Sequence, residues 1–337
     1  MHILHVANFS TQKYGSVFYA TDRKLSNGFI RNGHFVYEFS DRDIARQENI
    51  FGSKKLGRNK LNACLLKALE NLQPDLLLLG HTDLIFEKTL DEARRRVPNL
   101  RIAQWFVDWL IEKGTDKYLY KRLPHVDAFF CTSAGDQLMP FRAVNNKSYY
   151  LPNPIDPSIE SLKNDQKDSF DIDLLYCGTD QKDSIRRKFI SKIKSQLGDI
   201  RLKLHGSQGD SPVYGAKYIE VLSKSKMGLN LSRKNDIPYY SSDRIAQLIG
   251  NGLLVFMPET PGFRDLFSEQ ELIYFNDSDD LIDKIIYYND NDVRRKEIAR
   301  QGREKAHTSY NTSRVAQFIM ETTLDLPLSE NYEWINA

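Results

Sequence analysis

Three observations predict an α/β chain of two Rossmann-like, doubly wound parallel-sheet domains. Short continuous apolar runs alternate with amphipathic helical stretches along most of the sequence. The runs are as apolar as parallel strands covered on both faces, as in Asp75-Leu-Leu-Leu-Leu79 and Leu253-Leu-Val-Phe256. The alternation then breaks at Pro152-Asn-Pro-Ile-Asp-Pro157 and restarts. Prolines at this density favour stiff, extended backbone.

In the first half, residues 3–6 predict a strand, followed by the polar loop 8–16 and a helix over 17–32 ended by Gly33. A second strand, 35–39, leads to Ser40-Asp-Arg-Asp43, and 49–60 (NIFGSKKLGRNK) is a basic, glycine-containing connection. A helix over 61–72 precedes the strand 75–79 and its end, Gly80-His-Thr-Asp83. A helix carrying Arg94, Arg95 and Arg96 follows, then strands 101–107 (ending at Asp108) and 126–131, a helix over 134–145 and a strand over 148–151. Residues 160–170, polar and lysine-rich, predict a surface linker.

In the second half, strands over 173–177, 201–205, 227–231, 253–256 and 272–275 alternate with helices over 184–197, 218–225, 241–249 and 278–288. Ser241, Ser242 and Asp243 are N-cap residue types. Gly250 and Gly252 suit a C-cap, and Pro258, Pro261 and Gly262 make a loop at a strand's carboxyl end. Helices over 292–306 and 309–324 and a tail with a packed Trp334 close the chain. The expected domains are 1–156 and 157–308, with 309–337 a helix and tail for which crossing back to the first domain is one option.

Length 337, 41% hydrophobic and 27% charged residues are globular values. The net charge of +2 gives no nucleic-acid signal. It is uneven: residues 1–155 hold 22 Lys+Arg against 16 Asp+Glu, and the remainder 25 against 29. A mildly basic first half suits an anionic acceptor or peripheral contact with a membrane; ordinary solvated charge is the alternative. Cys64, Cys131 and Cys177 have neither metal nor disulfide spacing and predict buried thiols in a reducing compartment. No signal peptide or membrane-length apolar run is present, so a cytoplasmic protein is expected, at most at the inner face of a membrane.

Open parallel sheets bind ligands beyond the carboxyl ends of their strands, and two such sheets imply a cleft. The polar residues predicted at those ends fall into groups. Backbone amides at Gly15, Ser16, Gly178 and Thr179 could cradle phosphate oxygens, with Arg186, Arg187 and Arg244 neutralising them. His205, Ser232, Arg233, Ser242 and Gln247 are candidates for contact with a nucleotide or sugar. No dinucleotide-binding or P-loop glycine pattern occurs, which counts against an oxidoreductase or a P-loop enzyme.

Residues 218–318 resemble the C-terminal donor-binding domain of GT-B glycosyltransferases of the glycosyl transferases group 1 and spore-maturation glycosyltransferase-like relatives. The resemblance is carried by MGLNLSR (227–233), SSDRIAQLIGNGLLVF (241–256), PGFRDLF (261–267), 277–307, and LPNPID (151–156) at the linker. It implies transfer of a sugar from a nucleotide-sugar donor to a saccharide or lipid-linked glycan acceptor in cell-surface polysaccharide assembly, with no cofactor and no metal. The donor would lie on the second domain and the acceptor on the first. Many retaining members carry two glutamates flanking the glycine turn. Here Gln247 and Arg264-Asp265 stand in those regions, which opens the donor to a CMP-activated acidic sugar of the Kdo type.

Asp108, at the end of WFVD between two tryptophans, is the first catalytic candidate, followed by His81 and Asp83. A helix cap for Asp108 and a satisfied turn histidine for His81 are the structural alternatives. Asp41 and Asp43 form a D-x-D pair, but a metal site of that kind belongs to one-domain enzymes. Two other functions fit the same architecture: a non-catalytic nucleotide-sugar or glycan-binding subunit, and a nucleotide-sugar epimerase.

Overall fold

The computed structural model describes residues 1–110, 115–180 and 183–337. Strands are β1 (His2–Ala7), β2 (Phe35–Ser40), β3 (Leu76–Leu79), β4 (Arg101–Phe106), β5 (Ala128–Cys131), β6 (Ser148–Tyr150), β7 (Ile172–Cys177), β8 (Leu202–His205), β9 (Ser225–Leu229), β10 (Leu254–Pro258) and β11 (Ile273–Phe275). Helices are α1 (Thr21–Arg31), α2 (Asp41–Gln47), α3 (Arg58–Leu72), α4 (Glu87–Arg96), α5 (Thr115–Arg122), α6 (Met139–Arg142), α7 (Ser184–Gln196), α8 (Ala216–Ser223), α9 (Arg244–Gly250), α10 (Ser278–Asp290), α11 (Asp292–Ser309) and α12 (Thr312–Thr323).

The chain divides into two compact units, Met1–Pro152 with Thr312–Ala337, and Asn153–Asn311. Each is built on one wholly parallel sheet, in the orders β2-β1-β3-β4-β5-β6 and β11-β10-β9-β7-β8. The orders are the same winding: the first strand of each unit has its second strand on one side and its third on the other. The strand order therefore reverses between β1 and β3 in unit 1 and between β7 and β9 in unit 2. At such switch points the adjoining loops leave in opposite directions and open a crevice.

The strands form where the apolar runs predict because both faces are covered. Leu76, Leu77, Leu78 and Leu79 are all fully buried, as are Leu254 and Phe256. In unit 1, α12 lies on α1 so closely that a Cβ on Gly28 would come 2.1 Å from the Thr312 carbonyl oxygen. The tail is anchored in the same unit by fully buried Trp334, with Phe318 and Tyr332 rings 5.7 and 5.1 Å away.

Several expectations need correction. The helix predicted from residue 17 starts at Thr21, because Tyr14 and Gly15 take positive φ and residues 15–19 form turns. The helix predicted over 134–145 shrinks to a short 3-10 turn and the four-residue α6, which carries Pro140 in its first turn. Helix α8 and strand β9 end two residues earlier than predicted. Residues 160–170 are not a solvated linker. Asn164 is fully buried and donates to the Leu222 and Ser225 carbonyls at 2.7 and 2.9 Å, and buried Asp165 pairs with Arg303 at 2.8 Å. Their polarity serves orphan backbone groups rather than water. Only Cys131 is buried; Cys64 and Cys177 are partly exposed.

Candidate functional site

In unit 2 the switch point is spanned by one side chain. Arg244 Nε donates to the Cys177 carbonyl at the end of β7, and Nη1 donates to the Leu231 carbonyl beyond β9 at 3.1 Å. Its guanidinium carbon lies 5.3 Å from the centre of the Tyr176 ring. The end of β7 is glycine for a steric reason: a Cβ on Gly178 would meet Tyr176 Oη at 2.6 Å and Arg244 Nη2 at 2.9 Å. Tyr176 Oη is buried with no partner among the described residues. Burial holds its phenol above the ordinary range, opposed by Arg244 and Arg186.

The loop that delivers Arg244 is built by side-chain braces. Asn230 Nδ2 donates to Ser241 Oγ at 2.9 Å, and the Ser242 N–H donates to Ser232 Oγ at 3.2 Å. Ser232 and Ser242 thus lie together beside Arg244. Asp243 makes no side-chain cap, so the predicted capping role of 241–243 is replaced by these braces. Gln247 is buried, with its backbone carbonyl accepting from Asn251 Nδ2 at 2.7 Å. Arg233 is exposed at the rim.

Three predicted phosphate contacts are otherwise engaged. The Gly178 N–H donates to the His205 carbonyl at 2.9 Å within the sheet. The Ser16 N–H is likewise spent, on the Lys13 carbonyl at 3.1 Å. Arg186 is folded inward, bonded to the Thr179 carbonyl and 3.5 Å from Asp183, so it braces the loop. Arg187 stays half-exposed, 4.0 Å from Asp180. Thr179 is packed near Gly206, whose φ of 77° turns the β8 loop beside it, and His205 directs Nδ1 toward the Ser211 carbonyl at 3.3 Å.

In unit 1 the ends of β3 and β4 bring two candidates together. His81 Nδ1 lies 3.4 Å from Asp108 Oδ2, both partly exposed, and the imidazole leans on the Phe106 ring at 5.1 Å. A carboxylate facing one ring nitrogen favours the tautomer that carries its proton there. The cap alternative for Asp108 would need the chain after residue 110, and 111–114 lie outside the described residues. Asp83 does not join the pair; it binds Arg42 at 3.1 Å. Gly15, at φ 83°, lines a cavity in this unit.

The Asp41–Asp43 pair lies in the first turn of α2. Asp43 Oδ2 accepts from the Thr11 N–H, Thr11 Oγ1 and Ser40 Oγ, each at 2.7 Å. Asp41 is fully buried, and burial pushes its carboxyl up to about 7. Among the described residues no group of three or more His, Cys, Asp or Glu could hold a metal.

Sequence reasoning missed Asp22. Its carboxylate lies at the unit 1 switch point, where it accepts from Trp105 Nε1 at 2.9 Å. Nothing local marks it, since Asp22 reads as an ordinary first-turn acid of α1.

Comparison with known proteins now bears on these two units. Residues 185–321 match the family described as glycosyl transferase-like. Among solved structures, HepE of Anabaena with UDP and glucose is 14% identical at a TM-score of 0.61, covering 97% of this chain and 100% of that one. The chain has the GT-B fold. Sucrose-phosphate synthase from Thermosynechococcus elongatus shares the GT-B fold at 13% identity and a TM-score of 0.60, covering 95% and 98% of the two chains. TarM of S. aureus does so at 11% and 0.56, the match covering 78% of this chain and 58% of TarM. No curated protein matches the sequence. Most of the family match falls in unit 2.

Proposed function

We propose that the protein transfers a glycosyl group from a nucleotide-sugar donor to a saccharide or lipid-linked glycan acceptor in cell-surface polysaccharide assembly, without a metal. The observation that carries this reading is Arg244, braced across the β7–β9 switch point by two carbonyl oxygens. When the glycosyl bond to phosphate breaks, negative charge grows on the leaving nucleotide. A guanidinium already fixed in place stabilises that charge without reorganising. The Thr179 amide, Arg187, Ser232 and Ser242 complete the donor side, with Gln247 and His205 behind them.

On unit 1 the His81–Asp108 pair supplies an oriented imidazole for the acceptor proton, with Asp108 as its partner rather than as the base itself. With Gln247 and Arg264-Asp265 in the regions of the usual glutamates, CMP-activated acidic sugars stay in the donor set beside UDP- and GDP-sugars. HepE was solved with UDP-glucose, which makes that donor the first to test. The experiment is a thermal-stabilisation screen against UDP-, GDP- and CMP-sugars. At a hundred times its dissociation constant a true donor adds about 2.7 kcal/mol. No stabilisation by any nucleotide sugar would refute the proposal.

No helix among the described residues is long and apolar enough to cross a membrane. The basic connection supplies a surface for peripheral contact instead. Asn49 Nδ2 binds the Ala45 and Ser53 carbonyls, both at 2.7 Å, and this hook leaves Ile50 and Phe51 93% and 76% exposed beside Lys54 and Lys55. Apolar tips with a basic rim suit an anionic bilayer. Co-sedimentation with phosphatidylglycerol vesicles, lost in an Ile50→Ser/Phe51→Ser variant, is the expected result. Equal sedimentation of that variant would remove this surface.

A further inference from the structure

The cavity beside β1 in unit 1 has a feature that the transfer reading does not use. About 90 Å³ in volume, it is lined by Asn8, Phe9, Thr11, Val17, Phe18 and Asp22, among others. It opens where β1 ends, on the β1–β3 switch point.

Asp22 is held there by elements that are distant in sequence. Trp105 Nε1, from β4, donates to Oδ1 at 2.9 Å. His5 Nε2, from β1, lies 3.6 Å from the same oxygen, and the buried ring is oriented by Ser26 Oγ, 2.9 Å from Nδ1. Gly80, after β3, makes the space: a Cβ at that position would lie 2.6 Å from Oδ1. One oxygen is thereby fixed. Oδ2 has no hydrogen bond among the described residues, and the side chain is 20% exposed on the cavity.

The neighbouring cation does not neutralise this carboxylate, because Arg23 pairs with Glu38 and leans over Phe9 at 5.1 Å. What remains is an anionic acceptor oxygen, the Asn8 amide and a wall of Phe9, Val17 and Phe18. A ligand matching that set has hydroxyl donors on its edge and C–H groups on its face, which describes a sugar ring.

We propose that this cavity is a saccharide subsite in which Asp22 Oδ2 accepts a hydrogen bond from a ring hydroxyl and Phe9 and Phe18 cover the ring's C–H face. The assignment deepens the transferase reading and rests on it for the identity of the saccharide as acceptor. Trp105, His5 and Gly80 are positioning residues for Asp22.

The test uses the full chain and the methyl glycosides of glucose, galactose, mannose and N-acetylglucosamine, titrated by saturation-transfer NMR. At least one glycoside is expected to bind. A hydrogen bond to a charged group implies that Asp22→Asn weakens it by about tenfold or more. Phe18→Ala, on the partly exposed wall, and Trp105→Phe, which removes the N–H and narrows the buried ring, should each weaken it as well. All three variants should keep the wild-type stabilisation by nucleotide sugars, a readout that also reports their folding. Absence of glycoside binding by the wild type, or equal binding by Asp22→Asn, overturns the subsite. Glycoside binding without nucleotide-sugar stabilisation supports the subsite while defeating the transferase reading, so the two failures are separable.

Discussion

Replacing Asp41 with asparagine is expected to stabilise the protein selectively toward alkaline pH. Asp41 is fully buried at the start of α2, its Oδ1 accepting the Arg42 N–H at 2.6 Å and its Oδ2 without a partner among the described residues. Burial pushes its carboxyl from 3.8 up to about 7, with Asp83 and Asp22 adding to the rise and Arg42 opposing it. Below the lower value Asp41 is protonated whether the chain is folded or not, and it costs nothing. Between the two values the unfolded chain releases a proton that the folded one retains, so stability falls as pH rises. Above the upper value the fall is complete. The interval corresponds to a ceiling of about 4 kcal/mol, of which about 2 kcal/mol lies between pH 5 and pH 7. Asparagine keeps the shape and removes the titration. Trp105, Trp109 and Trp334 are the chain's three tryptophans, and all belong to unit 1, so their fluorescence in urea follows the unit that holds Asp41. The Asp41→Asn variant should gain about 2–3 kcal/mol on wild type between pH 5 and pH 8. Parallel pH profiles for the two proteins would refute the reasoning.

Three further outcomes follow from the geometry. Gly28→Ala puts a methyl 2.1 Å from the Thr312 carbonyl, so α1 and α12 must part, lowering stability by about 1–3 kcal/mol in the same urea assay. Trp334→Ala empties a fully buried site against Phe318 and Tyr332 and should cost about 3–5 kcal/mol, read as loss of the unit 1 transition midpoint. Asp108→Asn should lower the transfer rate by about a hundredfold with donor stabilisation unchanged, because His81 loses the carboxylate 3.4 Å from Nδ1; a near-wild-type rate would make the pair structural.

The strands were legible because burial on both faces leaves a continuous apolar run, and Leu76, Leu77, Leu78 and Leu79 show it plainly. The place of Arg244 at the start of a helix was legible from Ser241, Ser242 and Asp243 before it, but the two carbonyls it binds were not. Residues 160–170 misled because composition cannot distinguish a solvated lysine-rich strip from one whose Asn164 and Asp165 serve buried partners. Gly178 and Arg186 were half legible: the loop was located, but the sheet bond of one and the inward fold of the other depend on three-dimensional register. Asp22 was illegible, since Trp105 and His5 lie 83 and 17 residues from it in sequence. Helix boundaries slipped where turn geometry prevailed, as at Tyr14 and Gly15.

Release of free nucleotide from the stabilising nucleotide sugar tests the central claim most directly, measured for wild type and for Arg244→Ala. Fixed charge stabilisation at the β7–β9 switch point predicts a loss of at least about a hundredfold in the variant, with the unliganded protein still unfolding in a cooperative thermal transition, lowered by the loss of the bonds to the Cys177 and Leu231 carbonyls. Nucleotide release by Arg244→Ala at the wild-type rate would contradict it.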